Sequence, residues 1–153
     1  MQSHMVPGYA DQSVCVLGLG FVGLTLAAVM ADSGFNITGV EIRKELRDQL
    51  KSGSAHFYEP GLDENIKRAI ASGRLKVYES IPANCEATVF IVTVGTPLGA
   101  DGRAGLDSVK RISEQIAATL KDGDLVILRS TVKIGTTETV SYTHLTLPTT
   151  PYV

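Results

Sequence analysis

The residues able to do chemistry sit just behind short apolar runs. The first set is Gly18-Leu19-Gly20-Phe21-Val22-Gly23, which follows the run Val14–Leu17 and opens an apolar stretch from Phe21 to Ala31. Three glycines at this spacing, between a strand and a helix, suit the binding of a pyrophosphate. Gly18 makes the tight turn, Gly20 leaves the backbone bare for the phosphates, and Gly23 lets the helix pack closely on the strand. Free N–H groups and the positive dipole end at the helix start then hold the anion. Alone the motif is weak; the strand before it and the helix after it raise its value.

An acidic partner strengthens the reading. Glu41 closes a second apolar run, eighteen residues past Gly23. A carboxylate about twenty residues after the glycines accepts hydrogen bonds from the adenosine ribose hydroxyls. Its charge repels a 2′-phosphate, so NAD is expected rather than NADP. Arg43 leaves alternatives open: its guanidinium binds a 2′-phosphate, lies along the adenine, or is solvated at a helix start. Two further segments follow strong strands, Thr93-Val94-Gly95-Thr96-Pro97 and Arg129-Ser130-Thr131-Val132-Lys133-Ile134-Gly135. Both place hydroxyls and backbone donors at the carboxyl edge of the sheet, where the nicotinamide end belongs. The plainer alternative for Thr96 and Ser130 is local turn hydrogen bonding. Lys133 reads as a solvated lysine or a phosphate contact.

The elements that must position these residues alternate. Val14–Leu17, Asn36–Glu41, Leu75–Tyr78, Ala87–Val94 and Leu125–Leu128 read as strands. Phe21–Ala31 is apolar on all sides and predicts a helix sandwiched between layers. Ile42, Leu46 and Leu50 recur every four residues; Leu62, Ile66, Ala69 and Ile70 form a second stripe. Asp107 caps a helix whose stripe is Val109, Ile112, Ile116 and Leu120. Gly34, Gly53, Gly73 and Gly123 fall where these helices stop. Alternating strands and helices imply an α/β, Rossmann-type doubly wound parallel sheet, here ending after the fifth strand, with ligands bound beyond the carboxyl ends of the strands.

Composition excludes several classes. The 153 residues carry 14 Lys+Arg against 16 Asp+Glu, a net charge of −2, which gives no general basic surface for nucleic acid or an anionic membrane. No uncharged apolar run reaches the roughly 20 residues of a membrane span. Two cysteines make no disulfide framework and point to a reducing, cytoplasmic compartment. Cys15, in the first strand, and Cys85, before the fourth, read as ordinary small hydrophobes. His56 and His144 read as surface residues, and no metal site is expected. Residues 1–12 lack periodicity and resemble a tag-like or disordered leader. From Thr136 to Thr150, seven of fifteen residues are threonine, and no Asp, Glu, Lys or Arg follows Glu138. Residues 141–153 therefore read as a tail foreign to the domain, artefactual or disordered, with a natural Thr/Pro-rich linker as the alternative. The domain proper is expected over 13–140.

These segments, with Phe57-Tyr58-Glu59-Pro60-Gly61-Leu62, resemble the amino-terminal domain of the UDP-glucose/GDP-mannose dehydrogenase family from about Val14 to Val140. Gly18–Gly23, Glu41, Glu-Pro-Gly-Leu at 59–62, Gly-Thr-Pro at 95–97 and Ser-Thr at 130–131 match in order and spacing. The combination is specific where the glycine motif is not, and the sub-branch looks like the UDP-N-acetylhexosamine type rather than UDP-glucose. The resemblance implies oxidation of a UDP-sugar's primary alcohol to a carboxylate with two NAD. A cysteine thiolate traps the aldehyde as a thiohemiacetal, and the second oxidation gives a thioester that water hydrolyses. It also implies NAD contacts at Gly18, Gly20, Phe21, Val22, Gly23, Glu41, Thr96 and Ser130. Thr131 matches the threonine near the reacting carbon, and the full-length enzyme is expected to be a homo-oligomer.

The departures matter as much. The family's nucleophilic cysteine, its lysine and its sugar-binding domain lie beyond this point, so the chain by itself is expected to be inactive. Two other readings stay open. One is the first domain of another β-hydroxyacid-type dehydrogenase, against which Glu-Pro-Gly-Leu and Ser130-Thr131 weigh. The other is a non-catalytic NAD-sensing module, which has no need of hydroxyls around a hydride-transfer carbon.

Overall fold

The computed structural model describes residues 12–95 and 107–130. In chain order the elements are β1 (Ser13–Leu17), α1 (Phe21–Asp32), β2 (Asn36–Val40), α2 (Lys44–Lys51), α3 (Leu62–Ala71), β3 (Leu75–Tyr78), β4 (Val89–Val92), α4 (Asp107–Ala117) and β5 (Leu125–Leu128). All strand pairs are parallel, in the order β3-β2-β1-β4-β5. The chain winds outward from β1 to β3, then returns to the other side of β1 with β4. That return makes the gap between β1 and β4 the switch point, and the expected doubly wound α/β sheet is the fold.

Side-chain alternation along β1 builds both core layers. Val14 and Val16 face the layer containing Leu24, Ala27, Ala28 and Ile66 of α1 and α3. Cys15 and Leu17 face the layer containing Phe90, Ile112 and Ile116. A strand buried on both faces needs a continuous apolar run, which is why Val14–Leu17 shows no polar alternation. Phe90 and Leu17 are fully buried, and burial of such a side chain stabilises by roughly 1.5–3 kcal/mol relative to exposure.

Some expectations need correction. Helix α1 is not sandwiched: Gly23, Leu24, Ala27, Ala28 and Ala31 are buried, yet Phe21 is 70% and Val29 51% exposed. Its uniformly apolar sequence gave no periodicity from which to read a bare face. Ile42 does not belong to the α2 stripe. It precedes the helix, which starts at Lys44, and is exposed, whereas Leu50 is buried. The fourth strand is shorter than Ala87–Val94, because beyond Val92 the chain leaves its ladder with β5 to border a cavity. Asp107 stands in the first turn of α4. Thr96, Thr131, Lys133, His144, the leader over 1–11 and the tail over 141–153 lie outside the described residues. No helix among the described residues is long and apolar enough to cross a membrane.

Candidate dinucleotide-binding site

The β1–α1 turn is shaped by what each glycine leaves out. Gly18 has φ 96°, a left-handed conformation disfavoured for other residues. A Cβ there would lie 2.9 Å from the backbone N and Cα of Val94. Its N–H donates to Val40 O at 2.8 Å, joining the turn to the end of β2. At Gly23 a Cβ would fall 1.9 Å from Gly18 O, so the helix could not seat on the turn with any side chain there. Gly20 differs: a Cβ there would meet nothing within 4 Å. Its bare backbone faces open space at the N-terminus of α1, which has no side-chain cap. The first N–H groups of a helix lack intrahelical partners, so an anion is the natural cap.

Thr93, at the end of β4, holds this turn from below. Its Oγ1–H is 2.7 Å from Gly18 O and 3.1 Å from Leu17 O, and its N–H donates to Leu17 O at 2.8 Å. Sequence reasoning gave Thr93 no separate role; a hydroxyl at a strand end next to the switch point was the available signal.

Glu41 follows β2 directly and is only 4% exposed. Its Oε2 accepts from Leu19 N–H at 3.2 Å, and its Oε1 accepts from Arg43 N–H at 3.1 Å and Arg43 Nε at 2.9 Å. Arg43 Nη2 adds a bond to Oε2 at 3.3 Å. Burial pushes the Glu41 carboxyl up, but the Arg43 side chain and N–H, with Leu19 N–H, outweigh it and hold the group below its usual range. Glu41 therefore stays ionised near neutral pH. The guanidinium of Arg43 is thus neither simply solvated nor unpaired: it clasps the carboxylate and is itself held charged by it. Leu19 is buried because Gly39 makes room, since a Cβ on Gly39 would come within 2.9 Å of its Cδ1. Arg47, unremarked in the sequence, braces the strand end by donating to the carbonyls of Glu41 (2.9 Å) and Ile42 (2.7 Å) and pairing with Glu79 (3.0 Å).

These parts border one cavity of about 470 Å³. Gly18, Gly20, Phe21, Val22, Glu41, Arg43, Val94 and Gly95 line it, which brings together most of the described residues singled out in the sequence. Gly23 sits behind it as a packing residue. Ser108 and Arg111 also line it, and nothing in their local spacing marked them, because α4 meets the cavity only through the fold; Ile42 lines it too, although its spacing assigns it to a helical stripe. Ser130 is placed differently: its hydroxyl donates to Val94 O at 2.8 Å, tying the end of β5 to that of β4. Phe21 also meets Phe57 in a tilted pair with centroids 4.5 Å apart, and Phe57 meets His56 edge to face at 4.9 Å. His56 is therefore not a plain surface residue. Its Nδ1 is buried without a hydrogen-bond partner, and burial together with the charge of Arg43 lowers its pKa.

The donor set fits a dinucleotide. Uncapped N–H groups and a bare Gly20 suit the pyrophosphate, and an ionised carboxylate at the adjacent strand end suits a ribose diol. Among the described residues no cluster of His, Cys, Asp and Glu could hold a metal ion.

Comparison with known proteins agrees. The model of the UDP-glucose/GDP-mannose dehydrogenase family, NAD binding domain, matches residues 12–147. The UDP-N-acetyl-D-mannosamine dehydrogenase of Pyrococcus horikoshii is 38% identical over 125 residues, covering 82% of this chain and 30% of that protein. The UDP-glucose 6-dehydrogenase of Pseudomonas aeruginosa is 38% identical over 128 residues, covering 83% and 28%. The solved Pyrococcus horikoshii UDP-D-ManNAc dehydrogenase superposes with TM-score 0.80 at 37% identity, covering 86% of this chain and 31% of that one. A UDP-glucose dehydrogenase structure from Pyrobaculum islandicum gives TM-score 0.77 at 33% identity, covering 92% and 34%. The chain thus spans about 30% of the length of the curated relatives it matches. With the glycine turn, the Glu41 strand end and the switch-point cavity in one Rossmann sheet, the chain belongs to the UDP-glucose/GDP-mannose dehydrogenase family and carries its NAD-binding domain.

Proposed function

We propose that this chain is the NAD-binding part of a nucleotide-sugar 6-dehydrogenase that oxidises the primary alcohol of a UDP-sugar to the uronate with two NAD. Bound NAD accepts a hydride; the residues described here bind and orient it. The start of α1 and the bare Gly20 backbone hold the pyrophosphate. Glu41 accepts from the ribose hydroxyls and excludes a 2′-phosphate by charge, while Val94, Gly95 and Ser130 border the nicotinamide; by resemblance to the family, Thr96 is a further NAD contact and Thr131 the threonine near the reacting carbon. The observation that carries this reading is Glu41: a buried, ionised carboxylate bonded to the glycine turn and lining the same cavity.

In this reading the domain covers 13–140, the ends over 1–12 and 141–153 lie outside it, and the chain alone does not turn over a UDP-sugar. Its cysteines support that last point, since both lie in a core cluster and neither lines the cavity. The parent enzyme is a cytoplasmic homo-oligomer whose substrate is a UDP-N-acetylhexosamine or UDP-glucose. Relatives named for both sugar types reach 38% identity, so the choice between them belongs to residues outside the dinucleotide site.

Calorimetry with NAD and NADP, followed by a NADH absorbance assay with each UDP-sugar, tests the proposal. NAD binding in preference to NADP, with no NADH formed by the chain alone, is the expected result. Equal affinity for the two dinucleotides would overturn the role given to Glu41. UDP-sugar-dependent NADH formation would overturn the division of labour.

A further inference from the structure

Helix α4 gives the dinucleotide cavity a wall that β2 does not supply. Ser108, Arg111 and Ile112 stand three and four positions apart on that helix, so they share one face. Ile112 is buried in the core cluster that holds Leu17 and Val40, which fixes this face against the end of the sheet. Arg111 is thereby set at the cavity edge, which it lines together with Glu41, Ile42 and Arg43 from the end of β2. The two walls differ in chemistry. Ile42 is 56% exposed. Singly exposed aliphatic side chains are common on protein surfaces, but this one borders a concave site beside Glu41. Arg111 is also exposed and, among the described residues, has no hydrogen-bond or ion-pair partner. Arg43, by contrast, is committed to Glu41 through Nε and Nη2. Those bonds, with the N–H groups of Arg43 and Leu19, occupy both Glu41 oxygens, so Arg111 is not drawn into the ion pair.

We propose that Ile42 and Arg111 form a slot for the adenine base, with Ile42 packing on one face of the ring and the Arg111 guanidinium stacking on the other. The inference rests on the reading of Glu41 as the ribose partner. With the pyrophosphate at Gly20 and the ribose diol at Glu41, the base continues away from the glycine turn, into the part of the cavity that Ile42 and Arg111 border. A guanidinium is planar and weakly hydrated, and it stacks on the faces of aromatic rings and bases; an ammonium is a compact, strongly hydrated point charge. The slot therefore needs arginine in particular at position 111, and not merely a cation. Its grip is on the ring face, so it adds affinity for the adenosine half without touching the phosphates.

The experiment measures NAD by calorimetry and adenosine, which has the base and ribose but no phosphate, by chemical-shift titration. Both are applied to the full chain as wild type, Arg111→Ala, Arg111→Lys and Ile42→Ser. Arg111→Ala should weaken both ligands by the same factor, about 2- to 5-fold, the scale of an exposed cation–π contact, at low and high salt alike. Arg111→Lys should bind as weakly as Arg111→Ala, and Ile42→Ser should weaken both ligands together. Because both side chains are exposed, the variants should melt where wild type does. An Arg111→Lys protein with wild-type affinity, or a loss seen with NAD but not with adenosine, would make Arg111 a charge on phosphate and overturn the slot. Wild-type affinity in Arg111→Ala or Ile42→Ser would overturn it as well. The lysine variant decides the matter with NAD alone if adenosine binds too weakly to titrate. A wild-type chain that binds no NAD would instead bring down the reading of the dinucleotide site, and the slot with it.

Discussion

The backbone N–H of Leu19 donates to Oε2 of Glu41 at 3.2 Å, across 22 positions of sequence. The residue between the first two glycines of the turn is thereby bonded to the carboxylate at the end of β2. In the proposed mode of binding, the phosphate end and the ribose end of the site are then one hydrogen-bonded unit. A change at Glu41 should therefore be felt in the shape of the turn as well as in the ligand.

Glu41→Ala is expected to weaken NAD binding by about 1–3 kcal/mol, roughly 5- to 150-fold, the scale of hydrogen bonds to a charged group. It should also lower stability by about 1–3 kcal/mol, because the Leu19 N–H is left buried without an acceptor. Glu41→Gln keeps a carbonyl oxygen for Leu19 and should restore most of the stability but not the discrimination against NADP. Calorimetry and urea unfolding on both variants separate the two effects. Unchanged NAD affinity in Glu41→Ala would remove Glu41 from the site.

The same carboxylate sets a pH dependence. Its folded pKa lies below its ordinary value of 4.5, so it binds protons less readily folded than unfolded. Its contribution to stability is present above pH 4.5 and is lost as pH falls through the lowered folded value. In Arg43→Ala the largest of the lowering interactions is gone while burial remains. The acid loss of stability that Glu41 causes should then be smaller than in wild type, because the folded value moves up toward the unfolded one. Urea midpoints between pH 3 and 7 check this. Superimposable profiles for the two proteins would mean that the Arg43 clasp does not govern the Glu41 charge.

Much of this was legible in the sequence, for identifiable reasons. Leu75–Tyr78 and Leu125–Leu128 read directly as strands because each is a short run between glycine and turn residues. The glycine motif and Glu41 were legible because their roles depend on backbone and strand position, which spacing encodes. Arg111 and Ser108 were not legible, since they reach the cavity only through the packing of α4. Ile42 was misplaced because a four-residue repeat continues across a helix boundary as easily as within it. That Cys15 and Cys85 share one core cluster depends on how the β3–β4 connection folds back, which neither local pattern records.

Thr93→Val tests the support beneath the turn. The change keeps the side chain's outline but removes the hydroxyl bonded to Gly18 O and Leu17 O. Stability should fall by about 0.5–1.5 kcal/mol, the net worth of such a bond. NAD affinity should fall too, because the carbonyl of Gly18 is no longer pinned. Thermal melts with and without NAD resolve the two. A variant with unchanged affinity would confine Thr93 to packing.

Gly20 and Gly23 offer the sharpest contrast in the motif, because one faces ligand space and the other faces the chain itself. With open space around its missing Cβ, Gly20→Val should fold with a melting temperature near wild type. Its side chain would fill the place where the pyrophosphate meets the backbone, so NAD binding should disappear. Gly23→Ala, with only one added carbon, would press that carbon against Gly18 O and Thr93 Oγ1, where the distances of 1.9 Å and 2.5 Å leave no room. Helix α1 must then shift away from β1, with a stability loss of about 1–3 kcal/mol or more. Circular dichroism melts and calorimetry on the pair distinguish the roles. A Gly20→Val protein that keeps NAD affinity would place the ligand somewhere other than this turn, and a Gly23→Ala protein of unchanged stability would mean that α1 does not seat on β1 as described.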